Sequence, residues 1–189
     1  MSDWVSHPQI CRAAELLQQQ AVVAYPTESV WGLGCDPQSA SAVEKILQLK
    51  KRNVDKGLIL IADCVERFKP FLVGLDDEYL RRFQAPRAKP TTWLVPNNGT
   101  APLWISGGRD TLALRITAHP IAAALCTAFG GPLVSTSANP QGLPAAKSAL
   151  EVENYFGAAI DAQAPGRVGE ALNPSEIRYL ISGEIVREG

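Results

Sequence analysis

Short apolar runs alternate with helical patterns along the whole of this 189-residue sequence. That alternation restricts the chain to an open sheet covered by helices. Pro8 and the apolar positions Ile10, Ala13, Ala14 and Leu17 predict a first helix, with Ser6 and Gln9 at capping-box spacing. A strand is expected at Ala21 to Tyr25 and another at Trp31 to Gly34. Asp36-Pro37 then opens a helix facing inward through Val43, Ile46, Leu47 and Leu49. Leu58 to Ile61 is a four-residue apolar run of the buried-strand kind. Asp63 and Glu66 stand at capping-box spacing before a short helix with Phe68, Phe71 and Leu72, and a second short helix carries Tyr79, Leu80 and Phe83. Further strands are expected at Thr91 to Val95, Thr111 to Ile116, Leu133 to Ser135 and Ile177 to Ile181. Helices are expected from His119-Pro120 to Phe129 and from Ala149 to Phe156.

The length suits one domain spanning residues 1–189. Net charge is −1, so the whole molecule is no electrostatic magnet for nucleic acid. The charge is uneven: residues 50–89 hold ten Lys and Arg against six Asp and Glu, and the rest holds eight against thirteen. Such a block serves either phosphates or a solvated helical face. The four cysteines form no CxxC pair, and both histidines, His7 and His119, precede a proline as they would at a helix start. A metal site is therefore not expected, and the thiols fit a reducing compartment. MSDWVSHPQ lacks the basic and apolar regions of a signal peptide, and no apolar run approaches the ~18 residues of a membrane span. A cytoplasmic location without membrane contact is expected.

Open α/β sheets bind ligands where loops gather at strand ends. Three such segments stand out. Tyr25-Pro26-Thr27-Glu28-Ser29 breaks a strand and presents two hydroxyls and a carboxylate ahead of Gly32 and Gly34; it reads equally as an ordinary turn whose hydroxyls satisfy backbone. Lys50-Lys51-Arg52 ends a helix. One cation there is favoured by the helix dipole, but three in a row suit a polyphosphate or a carboxylate. Ser135-Thr136-Ser137-Ala138-Asn139-Pro140-Gln141-Gly142 follows a buried strand, as either a phosphate cradle or a capped turn. The chain has no GxxxxGK[ST], no GxGxxG after a strand and no GxSxG elbow. What remains is electrostatic chemistry around an anion, without a protein nucleophile.

YPTESVWGLGCD resembles the YPTET signature of the YrdC family, KKRNVDKGLILI resembles its K-x-R segment, and LVSTSANPQG its S-x-N segment. LALRITAHP and LNPSEIRYLISGEIVREG are similar to further family stretches in the same order, from about residue 8 onward. The likeness is to the short, TsaC-type bacterial form. It implies a twisted open sheet of mixed parallel and antiparallel strands flanked by helices, around a large concave, positively charged cavity. It also implies a nucleotidyltransferase that converts L-threonine, bicarbonate and ATP to threonylcarbamoyl-AMP and pyrophosphate. That product serves a separate complex, which modifies the adenosine next to the tRNA anticodon.

By the same resemblance, Lys50 and Arg52 would offset the charge of carbamate and triphosphate, with Mg²⁺ carried by the phosphates. Ser137 and Asn139 would orient oxygens of the α-phosphate or carbamate. Thr27 would contact threonine, Arg115 its carboxylate or the nucleotide, and Thr91, Ser135 and Ser175 the nucleotide. Two stretches depart from the pattern. Asn53 replaces a proline, and Pro86-Arg87-Ala88-Lys89-Pro90 replaces Trp-Pro-Gly-Pro, leaving a side chain where the family's glycine lets the backbone approach ligand or adopt φ > 0. A rival reading is a non-catalytic RNA-binding factor of ribosome or tRNA maturation, gripping phosphates through the basic cavity. A second rival, the hydrogenase-maturation carbamoyltransferases, carries CxxC zinc elements that this chain lacks.

Overall fold

A computed structural model describes residues 4–189. Nine strands form one mixed sheet in the order β7-β1-β2-β6-β3-β5-β4-β8-β9. They are β1 (Val23–Pro26), β2 (Trp31–Gly34), β3 (Ile59–Ala62), β4 (Thr91–Pro96), β5 (Thr111–Ile116), β6 (Leu133–Ser137), β7 (Ala162–Gln163), β8 (Glu176–Tyr179) and β9 (Ile185–Arg187). The pairs β1/β7, β3/β5 and β4/β8 are parallel and the remainder antiparallel. The two-residue β7 and the exposed edge strand β9 carry no alternating pattern in sequence and were not expected there.

Helices α1 (Pro8–Gln18) and α6 (Pro120–Phe129) lie on one face of the sheet. Ile10, Ala13, Ala14 and Leu17 of α1 pack there with Val23, Tyr25, Ile61 and Leu133. The opposite face carries the larger core, built by α2 (Ala40–Lys50), α3 (Lys69–Leu72), α4 (Asp77–Gln84), α5 (Leu103–Ser106) and α7 (Ala149–Phe156) against Ala24, Leu33, Leu60 and Leu114. Strand alternation assigns neighbours such as Val23 and Ala24 to different cores. Tyr25 illustrates the tightness of the first. Its hydroxyl donates to the Val134 carbonyl at 2.9 Å, and a Cβ added at Gly34 would lie 2.5 Å from that same oxygen.

Three expected helix starts shift. His7, not Ser6, caps α1: Pro8 holds its predecessor extended, and the His7 Nδ1 accepts from Gln9 N at 3.2 Å. Residues 36–39 form a turn, and α2 begins at Ala40 with Ser39 as cap. Asp63 makes no cap because its carboxylate takes Arg67 and the Thr127 hydroxyl instead. The box forms at Ser148, whose Oγ accepts from Glu151 N while Glu151 accepts from Ser148 N.

Candidate functional site

Helices α1 and α6 cover only part of their face. Beyond them the same pleat continues through Ile59, Thr111, Ala113, Arg115, Ser135 and Ser137 onto Leu94 and Ile177, and these residues line a cavity of about 500 Å³. That volume lies within the range of small-molecule sites. Its lining includes Arg52, Lys56, Arg109, Arg115 and Arg187, and no Asp, Glu or His. It therefore offers no carboxylate or imidazole as a general base. Its five cationic side chains suit anions.

The turn between β1 and β2 forms one wall. Thr27 and Ser29, both buried, line the cavity, with the Thr27 hydroxyl donating to the Val30 carbonyl at 2.7 Å. That bond takes the hydroxyl proton and leaves a lone pair. Gly32 faces the same space, and a Cβ there would meet Ser135 Oγ and the Thr27 methyl at only 3.5 Å.

At the end of α2 the two expected cations part company. Lys51 adopts the left-handed conformation at the C-cap, with φ 50°. The chain turns, and the neighbouring side chains diverge. The Lys50 ammonium, in a residue 6% exposed, donates to the carbonyls of Ser137 at 2.5 Å and Asn139 at 2.8 Å, and to Asn139 Oδ1 at 3.1 Å. It stands behind the wall and does not line the cavity. Arg52 does line it. Its Nη2 donates to the Gly57 carbonyl at 3.0 Å, while its buried Nε has no partner.

The segment after β6 is drawn together by the same lysine. Ser137 Oγ donates to Asn139 Oδ1 at 2.7 Å, and Asn139 Nδ2 donates to the Leu143 carbonyl at 2.6 Å. The Asn139 amide is thus engaged at both ends and stays out of the cavity, whereas Ser135, Thr136 and Ser137 line it. Across from them stand Arg115, Ser175 and Arg187. Arg187 Nη2 donates to the Ser175 carbonyl at 2.6 Å, and Ser175 Oγ lies 2.8 Å from Thr92 Oγ1.

Thr91 does not join this group. Strand alternation sends it to the opposite face, where its hydroxyl donates to Glu176 Oε1 at 2.8 Å. Thr92 is the residue of β4 beside Ser175. The sequence reading also passed over Lys56, Arg109 and Arg187. The only signal for Arg187 was its place in the LNPSEIRYLISGEIVREG likeness.

The cations crowd one another. Burial, with Arg109 as the second cause, lowers the pKa of Arg52; burial followed by Arg115 does the same to Arg187. Burial and then Arg52 bring Lys50 down to about 8. Arg115 also has a buried Nε without a partner. Two guanidiniums with unused buried donors beside like charges have the chemistry to bind a multiply charged anion.

Glu28 faces away from this cavity. Its Oε1 accepts from Thr117 Oγ1 at 2.7 Å and Ala118 N at 3.1 Å, and its Oε2 lies 3.5 Å from Arg115 Nη1. Burial pushes its pKa up, but Arg115 and these donors outweigh burial and hold the carboxyl below its ordinary value. On its far side is a second cavity of about 510 Å³, lined by the segment Pro86 to Thr91 together with Trp93 and His119. His119 caps α6 through Nδ1, and its Nε2 meets the Arg167 carbonyl at 3.1 Å.

A family model described as Telomere recombination, Sua5/YciO/YrdC, matches residues 15–189. The chain is 51% identical over 187 residues to a threonylcarbamoyl-AMP synthase of Cellvibrio japonicus, covering 99% of both chains. It is 54% identical over 175 residues to a threonylcarbamoyl-AMP synthase of Halorhodospira halophila, covering 93% of this chain and 92% of that one. Among solved structures, P. abyssi Sua5 complexed with L-threonine superposes with a TM-score of 0.82 at 30% identity over 93% of this chain. This chain spans about half of Sua5, 52% of its length. Arg52, Ser137 and Thr27 bring one residue each of the K-x-R, S-x-N and PTE segments to the cavity, and the matches over nearly the full length place the chain in the Sua5/YciO/YrdC family.

Proposed function

We propose that this chain makes threonylcarbamoyl-AMP from L-threonine, bicarbonate and ATP, and releases pyrophosphate, with water lost as threonine and bicarbonate form the carbamate. One observation carries the reading: a cavity with five cationic side chains and no carboxylate, in a chain half-identical to synthases of that name. N-carboxy-threonine is a carbamate anion, and its oxygen must bond to the α-phosphorus of an anionic triphosphate. The bond from that phosphorus to the bridging oxygen breaks, and the electron pair leaves with pyrophosphate. Fixed cations cancel the repulsion between the two anions and hold the charge that develops on the leaving group.

In this reading Arg52 and Arg109 face the triphosphate, Ser137 an α-phosphate oxygen, and Ser175 with Arg187 the rest of the nucleotide. Thr27, Ser135 and Arg115 receive threonine, with Arg115 on its carboxylate. Lys50 and Asn139 act one step back, by fixing the loop that presents Ser137. Among the described residues no cluster of His, Cys, Asp and Glu could hold a metal. The lining does not fit a protein-bound ion, so Mg²⁺ enters only as part of the nucleotide substrate.

The adenylate then passes to a separate tRNA-modifying complex. No helix among the described residues is long and apolar enough to cross a membrane. The test is incubation with labelled threonine, bicarbonate and ATP. A labelled acyl-adenylate, with pyrophosphate release that needs both threonine and bicarbonate, is expected. Tight RNA binding without such release would favour the RNA-binding factor.

A further inference from the structure

We infer that Glu28 is a positioning residue, which holds the Arg115 guanidinium in the orientation that receives the substrate carboxylate. The inference rests on the proposed role of Arg115, and the experiment below separates the two. Glu28 does not line the arginine cavity, so it acts on a ligand there only through Arg115. Its Oε1 is fully occupied by Thr117 Oγ1 and Ala118 N, which fix the plane of the carboxylate at the start of α6. Its Oε2 is buried and receives no hydrogen bond; it lies 3.5 Å from Arg115 Nη1. A carboxylate serving only as a strut for α6 would need the first oxygen alone. The second, bare oxygen is accounted for by the charge in front of it.

Arg115 needs that charge. The Arg187 guanidinium lines the same cavity; burial, and after it the like charge of Arg115, lower the pKa of Arg187. Among the described residues Arg115 Nε has no partner, and the only ion pair of Arg115 is with Glu28. The backbone of Glu28 is meanwhile held without the side chain. Its carbonyl accepts from Ala171 N at 3.0 Å, the Thr27 carbonyl accepts from Gly169 N at 2.9 Å, and a Cβ at Gly169 would press within 2.9 Å of the Glu28 oxygen. A change of side chain therefore leaves the turn in place.

Glu28→Gln separates strut from charge, because the amide oxygen still accepts from Thr117 and Ala118. We expect KM for L-threonine to rise about tenfold or more, while kcat and KM for ATP change less than about threefold. Thr117→Val, which frees the carboxylate to rotate, should raise KM for threonine in the same direction by a smaller factor. Arg115→Ala is measured beside them. If it leaves KM for threonine unchanged, the role of Arg115 falls and this inference with it. If Arg115→Ala raises that KM and Glu28→Gln does not, Glu28 has no positioning role and Arg115 keeps its own. In the Arg115→Ala background, Glu28→Gln should add nothing; a further rise in KM would overturn the inference. Should Glu28→Gln fail to fold, Thr117→Val decides alone, and an unchanged KM for threonine would overturn it.

Discussion

The Lys50 ammonium donates to both oxygens of Asn139, the backbone carbonyl at 2.8 Å and Oδ1 at 3.1 Å. With its bond to the Ser137 carbonyl, Lys50 ties the end of α2 to the turn that follows β6. Its charge thus serves the shape of that loop. Hydrogen bonds to a charged group contribute about 1.5–3 kcal/mol, and unpaired buried acceptors add their own cost. Lys50→Met should lower kcat/KM roughly 10- to 100-fold, with much of the loss in stability of the loop. Lys50→Arg should not rescue it, because a planar fork cannot reach three converging oxygens. Full activity of Lys50→Met would show that the loop holds its shape unaided.

The same lysine gives stability a definite pH dependence. Burial, then Arg52, lowers its pKa from the ordinary 10.5 to about 8. Below pH 8 the group is protonated in both folded and unfolded chains. Between about 8 and 10.5 the folded chain has released the proton and the unfolded chain keeps it, so stability rises with pH through that window. Urea unfolding at pH 7.5 and 9.5 should show wild type gaining on Lys50→Met. Parallel behaviour of the two would mean that Lys50 titrates normally.

How far this was legible in the sequence differs from residue to residue. Apolar spacing located α1, α7 and seven strands, because burial of one face imposes its period on the chain. Two of the site segments were legible because each follows a strand in an open sheet, and the third because three cations in a row exceed what a helix end needs. Lys50 and Arg52 read as a pair, since the left-handed Lys51 that separates them has no signature beyond its neighbours. Thr91 was named from the family resemblance; strand alternation turns it away from the cavity onto Glu176, and its neighbour Thr92 stands beside Ser175. The basic block from 50 to 89 forms neither one phosphate face nor one solvated face. Arg52 and Lys56 line the cavity, Lys50 lies behind it, and Arg67, Arg82 and Arg87 pair with Asp63, Glu78 and Glu176.

Arg52 is the cation of that block with an unused buried donor in the cavity. Removal of one preorganised donor commonly costs about 2.7–4 kcal/mol in the transition state. Arg52→Ala should therefore lower kcat/KM on the order of a hundredfold or more. Near-normal turnover at saturating ATP and threonine would take Arg52 out of the mechanism.

Gly32 and Gly34 stand two residues apart on one strand yet should respond oppositely to alanine. At Gly34 the new methyl would fall 2.5 Å from the Val134 carbonyl and 2.6 Å from the Tyr25 ring, with backbone on one side unable to yield. Gly34→Ala should destabilise the fold by about 1–3 kcal/mol, read as a lower urea midpoint. At Gly32 the methyl meets nothing closer than 3.5 Å and projects toward Thr27 and Ser135. Gly32→Ala should fold normally and bind threonine more weakly. Equal stability losses in the two variants would contradict the packing around both.

The stretch Pro86-Arg87-Ala88-Lys89-Pro90 departs from the family pattern, and its placement removes the expected conflict. Among the described residues only Gln20 and Lys51 have positive φ outside glycine, so Lys89 occupies backbone that any residue can adopt. The segment lines the second cavity, beyond the Glu28–Arg115 pair, and contributes nothing to the wall of the first. Arg87 has taken up local partners, with its guanidinium 5.6 Å from the Trp93 ring centroid and 3.3 Å from Glu176 Oε1. Lys89 is exposed at the rim. A glycine there would add freedom to the unfolded chain without relieving strain, for a stability loss of about 0.4–1 kcal/mol. Lys89→Gly should therefore leave kcat/KM for ATP and for threonine within about twofold of wild type and lower the urea midpoint slightly. A tenfold gain in kcat/KM would mean that this segment reaches the reacting nucleotide when substrate binds, and that the two cavities work as one.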